Sequence, residues 1–394
     1  MASAPLRRAE RMLRGAATSL LQSLLGRRQT LDPAALAHAA GEMDAILFVR
    51  IDRLGDLLVS TPTIAAARAR FPEARITLLV SPRTVRIAGW VPGVDEVLVF
   101  DRARPASWPG LLRALRTRRF SLAFELNAAF SSTATLLVRF AGARRTATFD
   151  DPRARGWFDV LLPVDPEGHQ VRTHARVGAV LGAGAPERPV LNVPAGVPEI
   201  ARRFLEVHGI GPDEPVVVLN PNLTRERYRW PLERFAALGD RAAAAGARIV
   251  VSCAGAAERE RALEVARRMR APAAVLPGDW PLPDYVRFLR RVAAFVSTMT
   301  GPVHVCEALG VPVLALCTPR QARGWRPLGP EHRVVVSATD DVAGIPADAA
   351  WAGLEELLAT APADPSAALA ERHGALRAAP GGASEHAGVT GVAT

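Results

Sequence analysis

The chain contains no lysine, little cysteine and few aromatic residues. All 49 basic residues are therefore arginines, and they stand against 39 acidic ones to give a formal net charge of +10. Arginine excess in a chain also rich in alanine, glycine and proline is typical of coding bias in a GC-rich genome. Nucleic-acid binding would need a basic stripe interleaved with aromatic residues, which is not found here. The composition thus disfavours nucleic acid as a partner.

Cysteine is scarce, and hydrophobic runs are short. The three cysteines have no metal-ligand spacing and are too few for a disulfide framework, which favours a reducing, cytoplasmic compartment. No apolar run is long enough to cross a bilayer. At 394 residues, the chain is long enough for two domains.

The two ends of the chain differ from the rest. Residues 1–30 carry six arginines against one acid, Glu10, with leucines near helical spacing on one face. Within an N-terminal extension over 1–43, this pattern predicts a basic amphipathic helix, which either binds a membrane surface or partner or packs on its own domain. Nearly half of residues 361–394 are alanine or glycine, with few large apolar side chains, and we expect a disordered tail.

Between these ends, short apolar runs alternate with helix-length segments, which predicts parallel βαβ units. Expected strands are Ala45–Val49, Ile76–Val80, Val97–Phe100, Leu122–Leu126, Arg145–Phe149, Val160–Val164, Val216–Leu219, Ala247–Ser252, Ala273–Leu276, Ala293–Ser297, Val313–Leu316 and Arg333–Val336. Expected helices are Val59–Phe71, Trp108–Arg119, Ala128–Phe140, Leu232–Ala245, Ala256–Arg270, Leu282–Arg291 and Pro302–Leu309. The predicted fold is α/β, with doubly wound halves over 44–185 and 201–360, a linker over 186–200, and a ligand cleft between the halves.

The first strand leads into a turn that contains Gly55 and Asp56. This turn lacks the spaced glycines of a dinucleotide fingerprint and the Gly-Lys-Ser/Thr ending of a P-loop. Two roles are open for Asp56: an N-cap of the following helix, or a general base that accepts a proton from an attacking hydroxyl. Asp52 competes for either role.

Two turns of the second half are candidate phosphate sites. The loop after Val216–Leu219 carries a hydroxyl and three arginines before a helix expected to start at Pro231, which together could cradle a diphosphate. The alternative is a solvated charged loop. Thr300 and Gly301 follow another strand and offer a seat for phosphate or sugar hydroxyls. Met299 is an apolar residue in this otherwise polar turn.

Taken together, these turns resemble those of the ADP-heptose:lipopolysaccharide heptosyltransferase family, glycosyltransferase family 9. The residues that carry the resemblance are Ile46–Pro62, Phe71–Ile76, Arg229–Phe235, Thr300–His304, Ala308–Pro312 and Trp325–Gly329. The likeness runs from about residue 45 to residue 340. It implies a GT-B fold, in which two Rossmann-like halves face one another, and a single inverting displacement.

The resemblance also implies roles for individual residues. Asp56 matches the general base, with Arg53 and Gly55 on the acceptor side. Donor and phosphate binding is implied for Asn222, Thr224, Arg225, Arg227, Arg229, Thr300, Gly301 and His304, and ribose binding for Glu258. Glu258 could instead be an ordinary helix N-terminal acid. GT-B enzymes generally hold the diphosphate with helix N-termini and cationic side chains, and no Asp-x-Asp cluster lies near these turns. We therefore expect no essential metal and no cofactor.

Two positions depart from the family pattern. Tyr228 stands where the family usually has a lysine that neutralises donor phosphate, and we expect Arg225, Arg227 or Arg229 to supply that charge with forked geometry. Met299 stands where the family usually has an aspartate that binds sugar hydroxyls. The donor sugar is therefore expected to differ from heptose or to be bound differently.

The resulting expectation is an inverting glycosyltransferase at the inner face of the cytoplasmic membrane. It would move heptose or a related sugar from a nucleotide diphosphate donor, ADP-linked, to a lipopolysaccharide-core or other lipid-linked acceptor. The basic start of the chain and the arginine excess suit an anionic membrane and a phosphorylated acceptor. One alternative is a GT-B nucleotide-sugar binding module that has lost catalytic activity, with Met299 as a sign of that loss. The other is a nucleotide-sugar epimerase.

Overall fold

The computed structural model describes residues 28–34, 36, 43–222 and 226–360. Some of the predictions concern residues outside these ranges. They are the disordered tail, Thr224, Arg225 and almost all of the N-terminal amphipathic helix. In the described ranges, no helix is both long and apolar enough to cross a membrane.

In the described part of the chain, twelve strands form two sheets, both parallel throughout. They are β1 Ala45–Arg50, β2 Arg75–Val80, β3 Glu96–Val99, β4 Leu122–Glu125, β5 Arg145–Phe149, β6 Val160–Leu162, β7 Val216–Asn220, β8 Arg248–Val251, β9 Ala273–Val275, β10 Ala294–Thr298, β11 Val313–Cys317 and β12 Arg333–Val336. The sheet orders are β3-β2-β1-β4-β5-β6 and β12-β11-β10-β7-β8-β9. Each half is thus doubly wound, and its strand order reverses between the first and fourth of its strands. All twelve expected strands are confirmed, with small shifts at their ends.

Thirteen α-helices connect or flank the strands. They are α1 Leu54–Val59, α2 Thr61–Arg70, α3 Val85–Ala88, α4 Trp108–Thr117, α5 Ser132–Ala141, α6 Gln170–Leu181, α7 Glu199–Val207, α8 Leu232–Ala244, α9 Ala256–Arg268, α10 Leu282–Leu289, α11 Gly301–Leu309, α12 Pro319–Trp325 and α13 Ala347–Ala359 in the described part of the chain. The sequence pattern did not indicate α3, α6, α7, α12 or α13.

The helix expected over Val59–Phe71 is wrong at its start. The chain turns helical at Leu54, five residues earlier, and breaks at Ser60. Pro62 causes the break because it has no amide hydrogen and its ring excludes a helical carbonyl four residues earlier. The Thr61 hydroxyl instead donates to the Leu58 carbonyl at 2.7 Å. The expected start of α8 at Pro231 is also one residue early, since Pro231 is the N-cap.

Alternating strand residues build the core on both faces of the first sheet. Ile46 and Phe48 belong to a large cluster that continues into the second half, whereas Leu47 and Val49 belong to a smaller cluster on the other face. This alternation is the two-residue period of a strand covered by helices on both faces. The apolar core therefore joins the two halves.

The predicted linker is attached to both halves. The Val190 amide donates to the Thr61 hydroxyl at 2.9 Å, and the Asn192 amide donates to the Trp90 carbonyl at 2.7 Å. From the second half, Arg290 donates to the Val193 carbonyl at 2.8 Å. These bonds fix the relative placement of the sheets around the cleft.

Candidate functional site

The two halves meet at their helix-forming turns. A Cβ built on Gly55 would lie 3.3 Å from the Gly301 Cα and 3.2 Å from Cδ2 of the His304 ring. The first-half turn follows β1, the first strand of its half, and the second-half turn follows β10, the fourth strand of its half. Both strands lie where the strand order of the sheet reverses. Ligands of doubly wound sheets bind at such switch points, outside the carboxyl ends of the strands. The structure thus brings Gly55, Gly301 and His304 together.

Asp56 lies on the first-half side of this contact. It is the third residue of α1, and its Oδ2 accepts the amide hydrogen of Arg53, the N-cap, at 3.2 Å. The N-cap alternative is therefore wrong by position, although Asp56 does close the first turn of the helix. Its side chain keeps 25% of its surface exposed, so the carboxylate is partly accessible to solvent.

Arg50 holds Asp56 from below. This buried guanidinium donates to the Asp56 carbonyl at 2.8 Å and lies 3.6 Å from its Oδ1. It also donates to the Leu126 carbonyl at 2.8 Å and to Oδ1 of Asn127 at 2.7 Å, both at the end of β4. Burial lowers the pKa of Arg50, and neighbouring carboxylates oppose that shift. Arginine stays charged despite burial, so Arg50 places a fixed positive charge beneath the Asp56 carboxylate.

A second carboxyl group, Glu125, lies under the same turn. Burial raises its pKa to about 8, against the opposing effects of a hydrogen bond from Thr135 at 2.8 Å and the charge of Arg50. Its Oε1 is buried with no hydrogen-bond partner. Glu125 is therefore a neutral acid near pH 7, whereas Asp52, 39% exposed and 3.8 Å from Arg50, faces solvent.

The second-half side is built from neutral groups. Asn220, at the end of β7, donates to the hydroxyls of Ser297 at 3.0 Å and Thr300 at 3.2 Å. The two hydroxyls lie 3.1 Å apart. Asn222 donates to the Ser252 carbonyl at 2.7 Å. Thr300 is the N-cap of α11, so this network fixes the backbone turn at which the helix starts.

His304 is held from behind by Glu307. Its Nδ1 lies 2.9 Å from Oε2 of Glu307, whose Oε1 accepts the Leu328 amide at 2.7 Å. Both side chains are almost fully buried. The Trp325 ring lies 5.8 Å from the imidazole, centroid to centroid. The ring is therefore fixed, with its Cδ2 edge toward Gly55.

The remaining predicted donor residues lie at neighbouring strand ends of the same sheet. Arg227 is exposed and stacks its guanidinium 4.7 Å above the ring of Tyr228, the residue at the family's lysine position. Burial lowers the pKa of Arg261, on α9, and the charge of Arg229 lowers it further. Arg261 is a basic residue near this loop that sequence reasoning missed.

Glu258 and Met299 have local structural roles. Oε2 of Glu258 accepts the Ala254 amide at 2.8 Å at the start of α9, as expected of a helix N-terminal acid. Its ribose role stays a prediction. Met299 is half-buried and packs against the large core cluster, which explains how an apolar side chain is stable in this turn.

Several residues of the site were not singled out from sequence. Arg50, Glu125, Asn127, Asn220, Ser297 and Glu307 complete the two turns. Two carried a readable signal: Glu125 is a lone acid in an apolar strand, and Glu307 follows His304 by three residues, on the same helix face. Among the described residues, no group of three His, Cys, Asp or Glu side chains is arranged to hold a metal.

Comparison with known proteins gives a consistent picture. The family model "Glycosyltransferase family 9 (heptosyltransferase)" matches residues 108–343, a stretch that begins after the Gly55–Asp56 turn. The chain is 23% identical to lipopolysaccharide heptosyltransferase 3 of Escherichia coli, over 69% of this chain and 83% of that protein. It is 25% identical to lipopolysaccharide heptosyltransferase 1 of Pseudomonas aeruginosa, over 70% and 78%.

Solved structures share the fold. A family 9 glycosyltransferase from Veillonella parvula superposes with a TM-score of 0.72 at 20% identity, covering 80% of this chain and 97% of that one. E. coli heptosyltransferase WaaC with ADP superposes with a TM-score of 0.62 at 22% identity, covering 80% and 99%. The predicted GT-B architecture is thereby confirmed.

Proposed function

Because the chain belongs to glycosyltransferase family 9, and is therefore a glycosyltransferase, we propose that it transfers heptose or a related sugar from an ADP-linked donor with inversion. The acceptor in this proposal is the lipopolysaccharide core or another lipid-linked glycan. The observation that carries it is the contact of the Gly55–Asp56 turn with Gly301 and His304 across the two switch points. The relatives named as lipopolysaccharide heptosyltransferases support the choice of donor and acceptor class.

Asp56 is the general base in this proposal. The partly accessible carboxylate takes the proton from the acceptor hydroxyl, and the resulting oxygen attacks the anomeric carbon of the donor. The bond from that carbon to the diphosphate oxygen breaks, and ADP leaves with the electron pair. Attack opposite the leaving group inverts the configuration at the anomeric carbon. Arg50, 3.6 Å from Oδ1, holds the Asp56 carboxylate in place for this step.

The second half binds the donor. The N-terminal end of α11, with the Thr300 hydroxyl, lies toward the diphosphate, and Arg227 and Arg229 add positive charge. Stacking on Tyr228 fixes the Arg227 guanidinium, so an arginine supplies the charge of the family's lysine. The diphosphate is thus held without a divalent metal, and EDTA should leave turnover unchanged.

Location and acceptor access form a further part of the proposal. A lipid-linked acceptor places the reaction at the inner face of the cytoplasmic membrane, with the six arginines of residues 1–30 against anionic lipid. Removal of residues 1–27 should weaken sedimentation with anionic vesicles while turnover on a delipidated acceptor persists.

A direct assay tests the proposal. Purified protein is incubated with ADP-heptose and heptose-deficient lipopolysaccharide core, and ADP release and acceptor mass are followed together. Equal formation of ADP and of acceptor extended by one heptose is expected, with an inverted anomeric signal by NMR. Nucleotide binding by thermal shift without consumption of any donor from a nucleotide-sugar panel would indicate a binding module instead. Conversion of the donor without acceptor would indicate an epimerase.

A further inference from the structure

The imidazole of His304 is held by a partner that the proposed reaction does not yet use. Glu307 is fully buried, and both its oxygens are occupied, one by Nδ1 of His304 at 2.9 Å and one by the Leu328 amide at 2.7 Å. The Leu328 amide can only donate, so Oε1 of Glu307 must accept. A buried carboxylate is stable only when its oxygens are hydrogen-bonded in this way.

The hydrogen bond decides where the ring carries its proton. A carboxylate oxygen accepts, so Nδ1 must donate and a neutral ring then has no proton on Nε2. Among the described residues, Nε2 has no hydrogen-bond partner, and it is not one of the enclosed polar atoms left without one. This nitrogen is therefore an open acceptor.

The open nitrogen lies at the cleft. Nε2 is bonded to Cδ2, the ring atom nearest the Gly55 position, so this edge of the imidazole faces the turn that carries Asp56. In the second-half turn, on the donor side of the cleft, Met299 offers no acceptor to a sugar hydroxyl and packs into the core. Nε2 of His304, five residues later, is an acceptor of the kind that Met299 lacks.

We infer that Glu307 is a positioning residue that locks His304 in the Nδ1–H tautomer, so that Nε2 accepts a hydroxyl of the transferred sugar in place of the carboxylate missing at Met299. This inference rests on the proposed donor site. It assigns recognition of the sugar, rather than of the nucleotide, to the His304–Glu307 pair.

The tautomer can be measured without any ligand. In ¹⁵N-histidine-labelled protein, the signals of His304 are assigned by their loss in His304→Gln, whose amide still donates to Glu307. Long-range ¹H–¹⁵N spectra should show Nδ1 protonated and Nε2 bare in the wild type. In Glu307→Gln the order should reverse, because the Leu328 amide holds the amide oxygen and turns the NH₂ toward Nδ1. A wild-type ring protonated at Nε2 alone would overturn the inference.

Binding measurements test the sugar contact. The affinity ratio of ADP-heptose to ADP should fall roughly tenfold in Glu307→Gln, the size expected for one lost hydrogen bond, while ADP affinity is unchanged. Glu356→Gln is the matched control. Glu356 lies on α13, and this variant removes its carboxylate from an exposed ion pair with Arg333. An unaltered ratio in Glu307→Gln would contradict the inference. Equal affinities of the wild-type protein for ADP and ADP-heptose would instead contradict the proposed donor, whichever tautomer His304 adopts.

Discussion

The two turns that meet across the cleft both follow a strand at the point where the strand order of its sheet reverses, yet their chemistry differs. The first-half turn is organised by charge, with Arg50 against Asp56 and the neutral acid Glu125 below. The second-half turn is organised by neutral hydrogen bonds from Asn220 to Ser297 and Thr300. Topology thus sets where both turns lie, whereas their side chains set what each can do. A charged frame suits the proton transfer proposed for Asp56, and oriented dipoles suit the diphosphate binding proposed at α11.

Replacing Asp56 tests the charged turn most severely. Asp56→Asn keeps the oxygen that accepts the Arg53 amide but cannot take a proton, so kcat should fall by about 10²–10⁴-fold. The assay is ADP release under saturating donor, with the fold checked by circular dichroism. Asp52→Asn is the matched control and should have a much smaller effect, because Asp52 is more exposed. Comparable losses in both variants would mean that overall charge, not Asp56, matters.

The pH dependence of stability tests the neutral acid beneath that turn. Burial raises the pKa of Glu125 from 4.5 to about 8, so the folded state keeps a proton that the unfolded chain releases. Stability from this group is present below pH 4.5 and is lost as pH rises toward 8, by about 1.4 kcal/mol per unit. Glu125→Gln should remove that slope. Urea unfolding of both proteins at pH 5.5, 6.5 and 7.5 measures it, and parallel curves would show that Glu125 is ionised in the fold.

Removing the central donor of each turn compares the two frames directly. Arg50→Met strips the Leu126 carbonyl and Asn127 of their donor, which should lower the free energy of unfolding by about 3 kcal/mol. Asn220→Ala should cost about 1 kcal/mol, because the hydroxyls of Ser297 and Thr300 still reach each other at 3.1 Å. Urea denaturation decides between them. Equal losses would mean that charge adds nothing to the first turn.

The two glycines give the smallest expected difference. In Gly55→Ala the new methyl lies 3.3 Å from the Gly301 backbone and 3.2 Å from the His304 ring, so the halves must move apart by a few tenths of an ångström. We expect kcat/KM to fall about tenfold, since reacting groups tolerate little misplacement. In Gly301→Ala the nearest atoms lie 3.4 and 3.6 Å away, and activity should change little. The reverse ranking in steady-state kinetics would contradict the contact.

The sequence predicted the strands well, because buried parallel strands are apolar runs bounded by polar turns. It also identified Gly55, Asp56, Thr300 and His304 through motifs that lie at strand ends. It could not indicate that Asn220 bonds Thr300, 80 residues away, since such pairs depend on strand order. The two-helix break at Ser60 was readable from Pro62 in principle. The tautomer of His304 could not be predicted from the sequence, because it depends on the Leu328 amide, which reaches Glu307 only in the folded chain.

The segment after α12 connects the halves mechanically. Across the cleft, His169 donates from Nε2 to the Arg326 carbonyl at 3.0 Å, and two residues later the Leu328 amide holds Glu307. Burial lowers the pKa of His169, and Nε2 can donate to this carbonyl in the neutral ring and in the protonated ring alike. Any hinge motion that parts the halves must stretch this bond and pull on the backbone behind His304. Separation of the halves is therefore coupled, through Leu328 and Glu307, to the position of the His304 ring.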